Sequence, residues 1–180
     1  MRGRRDDSNW QMLLCSSALT TRARCSTATC PSRRGGGGAC GRVLSDVGAL
    51  YDGFDAVGLQ YGPGYRTLRQ AWGGGEGATA RLGARSTHEG TAVHPADLDD
   101  GLCLGALVPS EGSGEGGTRL PFAVDEAALR GVAGALWAVA VRQGGEAVGV
   151  GVGAVGGAAQ AQLEGFKSRS LRLQAANRHD

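Results

Sequence analysis

The chain has 180 residues, 33 of them glycine, with 5% aromatic residues and a formal net charge of +2. That length suits one domain with one real core. The near-balanced charge, with no basic stripe interleaved with aromatics outside the N-terminal stretch, argues against a nucleic-acid partner. No apolar run approaches the ~20 residues that a membrane-spanning helix needs.

Residues 1–43 read as a disordered tail rather than a folded unit. Arg2, Arg4, Arg5, Arg22, Arg24, Arg33 and Arg34 face only Asp6 and Asp7, with little apolar periodicity. An Arg- and Ser-rich, acid-poor start is the pattern of an organelle transit peptide. Asp6 and Asp7 spoil that pattern, and the expectation is a disordered extension or a misdrawn gene start on a cytoplasmic protein. Met12-Leu13-Leu14-Cys15 is too short and too poorly flanked for a secretory signal. Cys15, Cys25, Cys30 and Cys40 form no C-x-x-C pair and have no histidine nearby. Neither a zinc site nor a disulfide framework is expected, and all five cysteines are taken as reduced thiols.

From Leu44 to Leu59 the apolar residues Leu44, Val47, Leu50, Tyr51, Phe54 and Val57 recur at helical spacing. Ser45 or Asp46 can cap this helix and Gly58 can close it. Gly62-Pro63-Gly64 cannot continue a helix, so Tyr61 and Tyr65 are presented from a turn. Leu68–Trp72 and Gly77–Leu82 predict a hairpin around Gly73-Gly74-Gly75-Glu76. Arg85–Ala92 is a polar loop.

His94–Leu107 predicts one helix with Pro95 at its first position. At ~100° per residue, Ala96, Leu98, Leu102, Cys103, Ala106 and Leu107 share an apolar arc. Asp97 and Asp100 fall on the other side, beside Gly101 and Gly105. Asp99 points into the middle of the arc. A carboxyl on an apolar face is costly as an anion, its pKa rises, and a protonated carboxyl can act as a general acid. On the residues alone a second reading stands, in which Asp99 caps the helix or reaches back to water.

Pro109–Thr118 is a Gly/Ser/Glu loop, followed by strand-like segments at Leu120–Val124, Ala127–Val132, Leu136–Arg142, Ala147–Val152 and Gln160–Phe166. Gly156-Gly157 marks the last turn, and Lys167–Leu173 reads as an edge strand. One apolar helix between a hairpin and a run of antiparallel strands needs a sheet to cover it. The predicted class is α+β: a single hot-dog fold, a curved antiparallel sheet wrapping one central helix.

Tyr61-Gly62-Pro63-Gly64-Tyr65-Arg66-Thr67-Leu68 with Trp72 resembles the Y-G-P-x-F/Y-x-x-L…W block of polyketide synthase dehydratase domains. His94-Pro95-Ala96-Asp97-Leu98-Asp99 resembles their H-P-A-L-L-D signature, Leu120-Pro121-Phe122 their L-P-F strand opening, and Glu164–Arg172 their closing strand. The resemblance implies the C-terminal hot-dog half of such a domain over residues 44–174, with a short tail at 175–180. It implies removal of water from a β-hydroxyacyl thioester carried on the phosphopantetheine of an acyl carrier protein, with no cofactor of the domain's own. Asp99 is then the general acid, Tyr61 sits near the substrate hydroxyl or orients Asp99, and Gly62 and Pro63 shape the tunnel wall. The family's base is a histidine in H-x-x-x-G-x-x-x-x-P of the N-terminal half. None of His88, His94 and His179 begins that block, so the base is expected from a separate N-terminal half or another polyketide synthase domain. Cys103 stands where the family carries Gln or His, a weaker hydrogen-bonding group beside the substrate.

Two functions follow: half of a dehydratase, or a catalytically dead scaffold that binds an acyl carrier protein or forms a homodimer. A stand-alone thioesterase lacks a matching nucleophile or base. A metal site from His88, His94 and Asp97 lacks the i, i+4 helical spacing of known sites, and none is expected.

Overall fold

A computed structural model describes residues 43–75, 77–85, 90–108, 119–131, 135–155, 157 and 159–170. Residues 1–42 of the expected 1–43 tail, the expected 175–180 tail, the whole 109–118 loop, Gly156 and His88 lie outside the described residues.

The chain opens with β1 (Val43–Ser45) and α1 (Val47–Ala56), then a single 3-10 turn over Pro63–Tyr65. The hairpin β2 (Leu68–Gly74) and β3 (Gly77–Leu82) follows, and then α2 (Pro95–Cys103), which runs on as a 3-10 turn over Leu104–Leu107. The remaining strands are β4 (Arg119–Ala123), β5 (Glu126–Leu129), β6 (Trp137–Gly144), β7 (Ala147–Gly153) and β8 (Ala159–Ser170). All described strands join one antiparallel sheet in the order β1-β2-β3-β6-β7-β8-β4, with β5 also pairing β8. α2 lies across β6 and β7. This is the predicted hot-dog fold.

Local chemistry explains the element ends. The Asp46 carboxylate accepts hydrogen bonds from Gly48 N–H at 2.8 Å and Ala49 N–H at 3.2 Å, which starts α1 at Val47, three residues after the predicted Leu44. Leu44 belongs instead to β1, paired with Trp72 of β2. Gly58, at φ +88°, turns the chain away after α1, a conformation costly for a residue with a Cβ. Pro95 occupies the first turn of α2, and His94 caps it through Nδ1, which accepts from Ala96 N–H at 3.2 Å.

Small side chains pave the inner face of the sheet. Ala78, Ala80, Ala138, Ala140, Val150 and Val152 alternate along β3, β6 and β7 and are almost fully buried in one core. The residues between them face outward, where Val139 packs with Trp137, and the Trp137 ring stacks on Trp72 at 6.0 Å. With alanine and valine beneath it, α2 approaches the sheet so closely that a Cβ on Gly101 would stand 2.9 Å from Val152 Cγ2.

Two expectations are corrected. The segment beyond Phe166 is not a separate strand: β8 continues through it to Ser170, where residues 167–170 pair with β4 while the pairing with β7 ends at Phe166. Gly165, at φ +65°, bends β8 without ending it, so the break in pattern there is a kink rather than a turn. The faces of α2 also differ from the helical-wheel expectation. Asp97, Asp100 and Gly101 are buried, whereas Leu98 and Leu102 are only half-buried. Specific hydrogen-bond and ion-pair partners permit this inversion, as the site geometry shows.

Candidate active site

α1, the turn after it, α2 and the ends of β4, β6, β7 and β8 enclose a cavity of about 480 Å³. Phe54, Leu59, Leu102, Ala106, Val108 and Phe166 give it apolar walls. Arg119, Arg142 and Glu146 also line it, the Arg119 and Glu146 side chains 3.6 Å apart.

Of the residues singled out from the sequence, Asp99, Tyr61 and Cys103 share this cavity. The Cys103 thiol donates to the Tyr61 hydroxyl over 3.3 Å. Gly62 and Pro63 are not brought in. They are exposed in the turn that carries Tyr61, because Tyr61 alone of that segment leans inward, its ring 5.7 Å from that of Tyr51 and 5.5 Å from that of Phe54. His94 is buried under the start of α2 and does not line the cavity.

The half-buried Asp99 carboxyl is pushed above the ordinary carboxylate range, first by burial and then by the neighbouring Asp100 charge. The nearby Tyr61 hydroxyl pulls the other way without reversing the shift. Burial also pushes Cys103 up to about 12 and raises Tyr61, so thiol and phenol both stay neutral at physiological pH. The arrangement is a carboxyl biased toward its protonated form in a cavity with mostly apolar walls, flanked by two neutral hydrogen-bonding groups. Such a carboxyl can protonate a departing hydroxyl.

The residues that the sequence did not mark lie just behind. Asp100 is fully buried and accepts from Tyr51 Oη at 2.7 Å, from Thr67 N–H at 2.7 Å and from the Thr67 hydroxyl. Asp97 is 2.7 Å from Arg85 Nε, and Arg85 Nη2 also donates to Gly64 O at 3.0 Å. Asp97 stands where the H-P-A-L-L-D signature has leucine, and Arg85 answers the charge so introduced. Three aspartates within four positions of an otherwise apolar helix were the signal available in the sequence. Among the described residues no group of three or more His, Cys, Asp or Glu converges as a metal site. No described helix is long and apolar enough to cross a membrane.

Residues 31–178 match the family model described as the polyketide synthase dehydratase N-terminal domain. The chain belongs to the polyketide synthase dehydratase family. This dehydratase-family chain is 32% identical over 168 residues to polyketide synthase ThaG of Burkholderia thailandensis, across 86% of this chain and 3% of that one. It is 33% identical over 131 residues to polyketide synthase GfsE of Streptomyces halstedii, across 69% of this chain and 3% of that one. The erythromycin dehydratase structure matches with a TM-score of 0.58 at 28% identity, over 71% of this chain and 45% of that one. The dehydratase domain from the CurF module of the curacin polyketide synthase matches with a TM-score of 0.65 at 19% identity, over 86% and 52%, a likeness of fold. The dehydratase-family chain thus spans about half the length of the solved dehydratase domains and a few per cent of the synthases.

Proposed function

We propose that this chain is the acid-bearing half of a dehydratase that removes water from a β-hydroxyacyl thioester carried on an acyl carrier protein. The observation that carries the reading is Asp99: a half-buried carboxyl biased toward its protonated form, beside the Tyr61 hydroxyl, in an apolar cavity. Asp99 protonates the leaving β-hydroxyl, and Tyr61 orients the carboxyl or the hydroxyl. The α-proton needs a base on the opposite side of the bound chain. No described histidine lines the cavity, so we assign the base to a separate N-terminal hot-dog half or another synthase domain. The His94–Asp99 and Glu164–Arg172 blocks favour the C-terminal half, against the wording of the family's description. Work on carrier-bound chains fits a cytoplasmic site, with organelle targeting by residues 1–43 the alternative.

A second reading is a scaffold that binds an acyl carrier protein or dimerises without turnover. Cys103, a weak hydrogen-bonding group where the family has Gln or His, is the feature that favours it.

The two are separated by incubating a β-hydroxyacyl carrier protein with this chain and a hot-dog half bearing H-x-x-x-G-x-x-x-x-P. Mass spectrometry is expected to show loss of one water with the pair and none with either part alone. A pair that forms a stable complex yet leaves the substrate intact overturns the enzyme reading in favour of the scaffold.

A further inference from the structure

Asp100 is a buried carboxyl that the proposed chemistry does not use. It is 0% exposed and does not line the cavity, so no substrate reaches it. Burying a carboxyl is costly unless its lone pairs are occupied. Here they are occupied by groups from two other parts of the chain: the Tyr51 hydroxyl of α1, and the N–H and hydroxyl of Thr67 at the entrance to β2. Tyr51 Oη in turn accepts from Leu68 N–H at 3.3 Å.

These contacts bracket the segment that carries Tyr61. Its far end is held at Thr67 by Asp100. Arg66 donates from Nε to the Tyr61 carbonyl at 2.9 Å while its guanidinium sits 5.4 Å over the Tyr51 ring, the ring whose hydroxyl Asp100 holds. Tyr51 also packs on the Tyr61 ring. A shift of Asp100 would therefore move both walls of the seat in which the Tyr61 side chain lies.

We propose that Asp100 is a positioning residue: it clamps α1 and the Tyr61–Thr67 segment onto α2 and so seats the Tyr61 hydroxyl beside Cys103 and Asp99. Its functional meaning rests on the reading of Asp99 as the acid. An apolar residue could fill the same volume, but it would leave the Thr67 and Tyr51 donors without an acceptor and the segment without a fixed height along α2.

The test needs no turnover, so its failure is separate from a failure of the dehydratase reading, which falls if Asp99→Asn leaves water loss intact. In the full chain with Cys15, Cys25, Cys30 and Cys40 changed to serine, Cys103 is the sole thiol. The infrared S–H stretching band of Cys103 then reports its hydrogen bond to Tyr61. Tyr61→Phe gives the band of the thiol without that partner. Asp100→Ala, folded by circular dichroism, is expected to move the band toward the Tyr61→Phe position and to speed maleimide labelling of Cys103 by about ten-fold through local opening. Asp100→Asn keeps an acceptor for the Thr67 N–H and is expected to restore most of the native band. Should Asp100→Ala not fold, Tyr51→Phe and Thr67→Val each remove one arm of the clamp and are expected to move the band part-way. A native band in the folded variants overturns the proposal. An equal shift in Gly101→Ala, which disturbs the packing of α2 on Val152 and Val150 and not the Asp100 hydrogen bonds, overturns it as well, because the effect would then be general loosening.

Discussion

The two sides of α2 are built in opposite ways. Toward the sheet the helix presents Gly101, close against Val152 and Val150, and just past its end Leu104 is buried in the same core with no exposure at all. Toward the cavity it presents Asp99, Leu102 and Cys103, the first two half-buried. The tight side leaves no room for a ligand, and the loose side holds the titratable group. Stability and reactivity are thus separated by half a turn of one helix.

That contrast can be broken by substitution. Leu104→Ala removes a fully buried side chain and is expected to cost about 2–5 kcal/mol in chemical denaturation. Leu102→Ala, on the cavity side and half-buried, is expected to cost no more than ~1 kcal/mol while enlarging the cavity. Equal costs would erase the distinction between the two sides. Gly101→Ala places a Cβ 2.9 Å from Val152 Cγ2 and 3.3 Å from Val150 Cγ1, an overpacking expected to cost about 1–3 kcal/mol with a lower thermal midpoint.

The smallest effect is expected at Asp99, and its size depends on pH. Its carboxyl titrates in the folded chain above its ordinary value of 3.8, so ionised Asp99 opposes folding. The favourable contribution of the protonated form is complete below that ordinary value and is lost as pH rises through the folded-state value. Asp99→Asn is therefore expected to match the native chain in stability below pH 3.8 and to exceed it modestly near neutrality. Thermal melts across that range check the divergence. A variant less stable at neutral pH would mean that the native carboxylate is stabilised rather than strained.

How much of this was legible in the sequence depends on the distance between partners. The hairpin, the start of α2 and the hot-dog class follow from nearby residues: glycine at Gly73–Gly75, proline at Pro95 and a helix placed before a run of strands. Asp99 on the cavity side could also be read, because helical periodicity sets its direction relative to Leu102 and Ala106. The burial of Asp97 and Asp100 could not. A helical wheel sorts polar residues outward, whereas their partners, Arg85, Thr67 and Tyr51, lie 12, 33 and 49 residues away along the chain. The inward lean of Tyr61 without Gly62 and Pro63 likewise depends on the Tyr51 and Phe54 rings, which the Gly-Pro-Gly motif does not reveal.

The central claim is that Asp99 supplies the proton to the leaving hydroxyl. Its most direct measurement is the rate of water loss from a β-hydroxyacyl carrier protein by the complemented pair, with native chain and with Asp99→Asn, followed by mass spectrometry. The account predicts a fall of about 10²-fold or more with the fold and the complex intact. Turnover by Asp99→Asn at the native rate would contradict it.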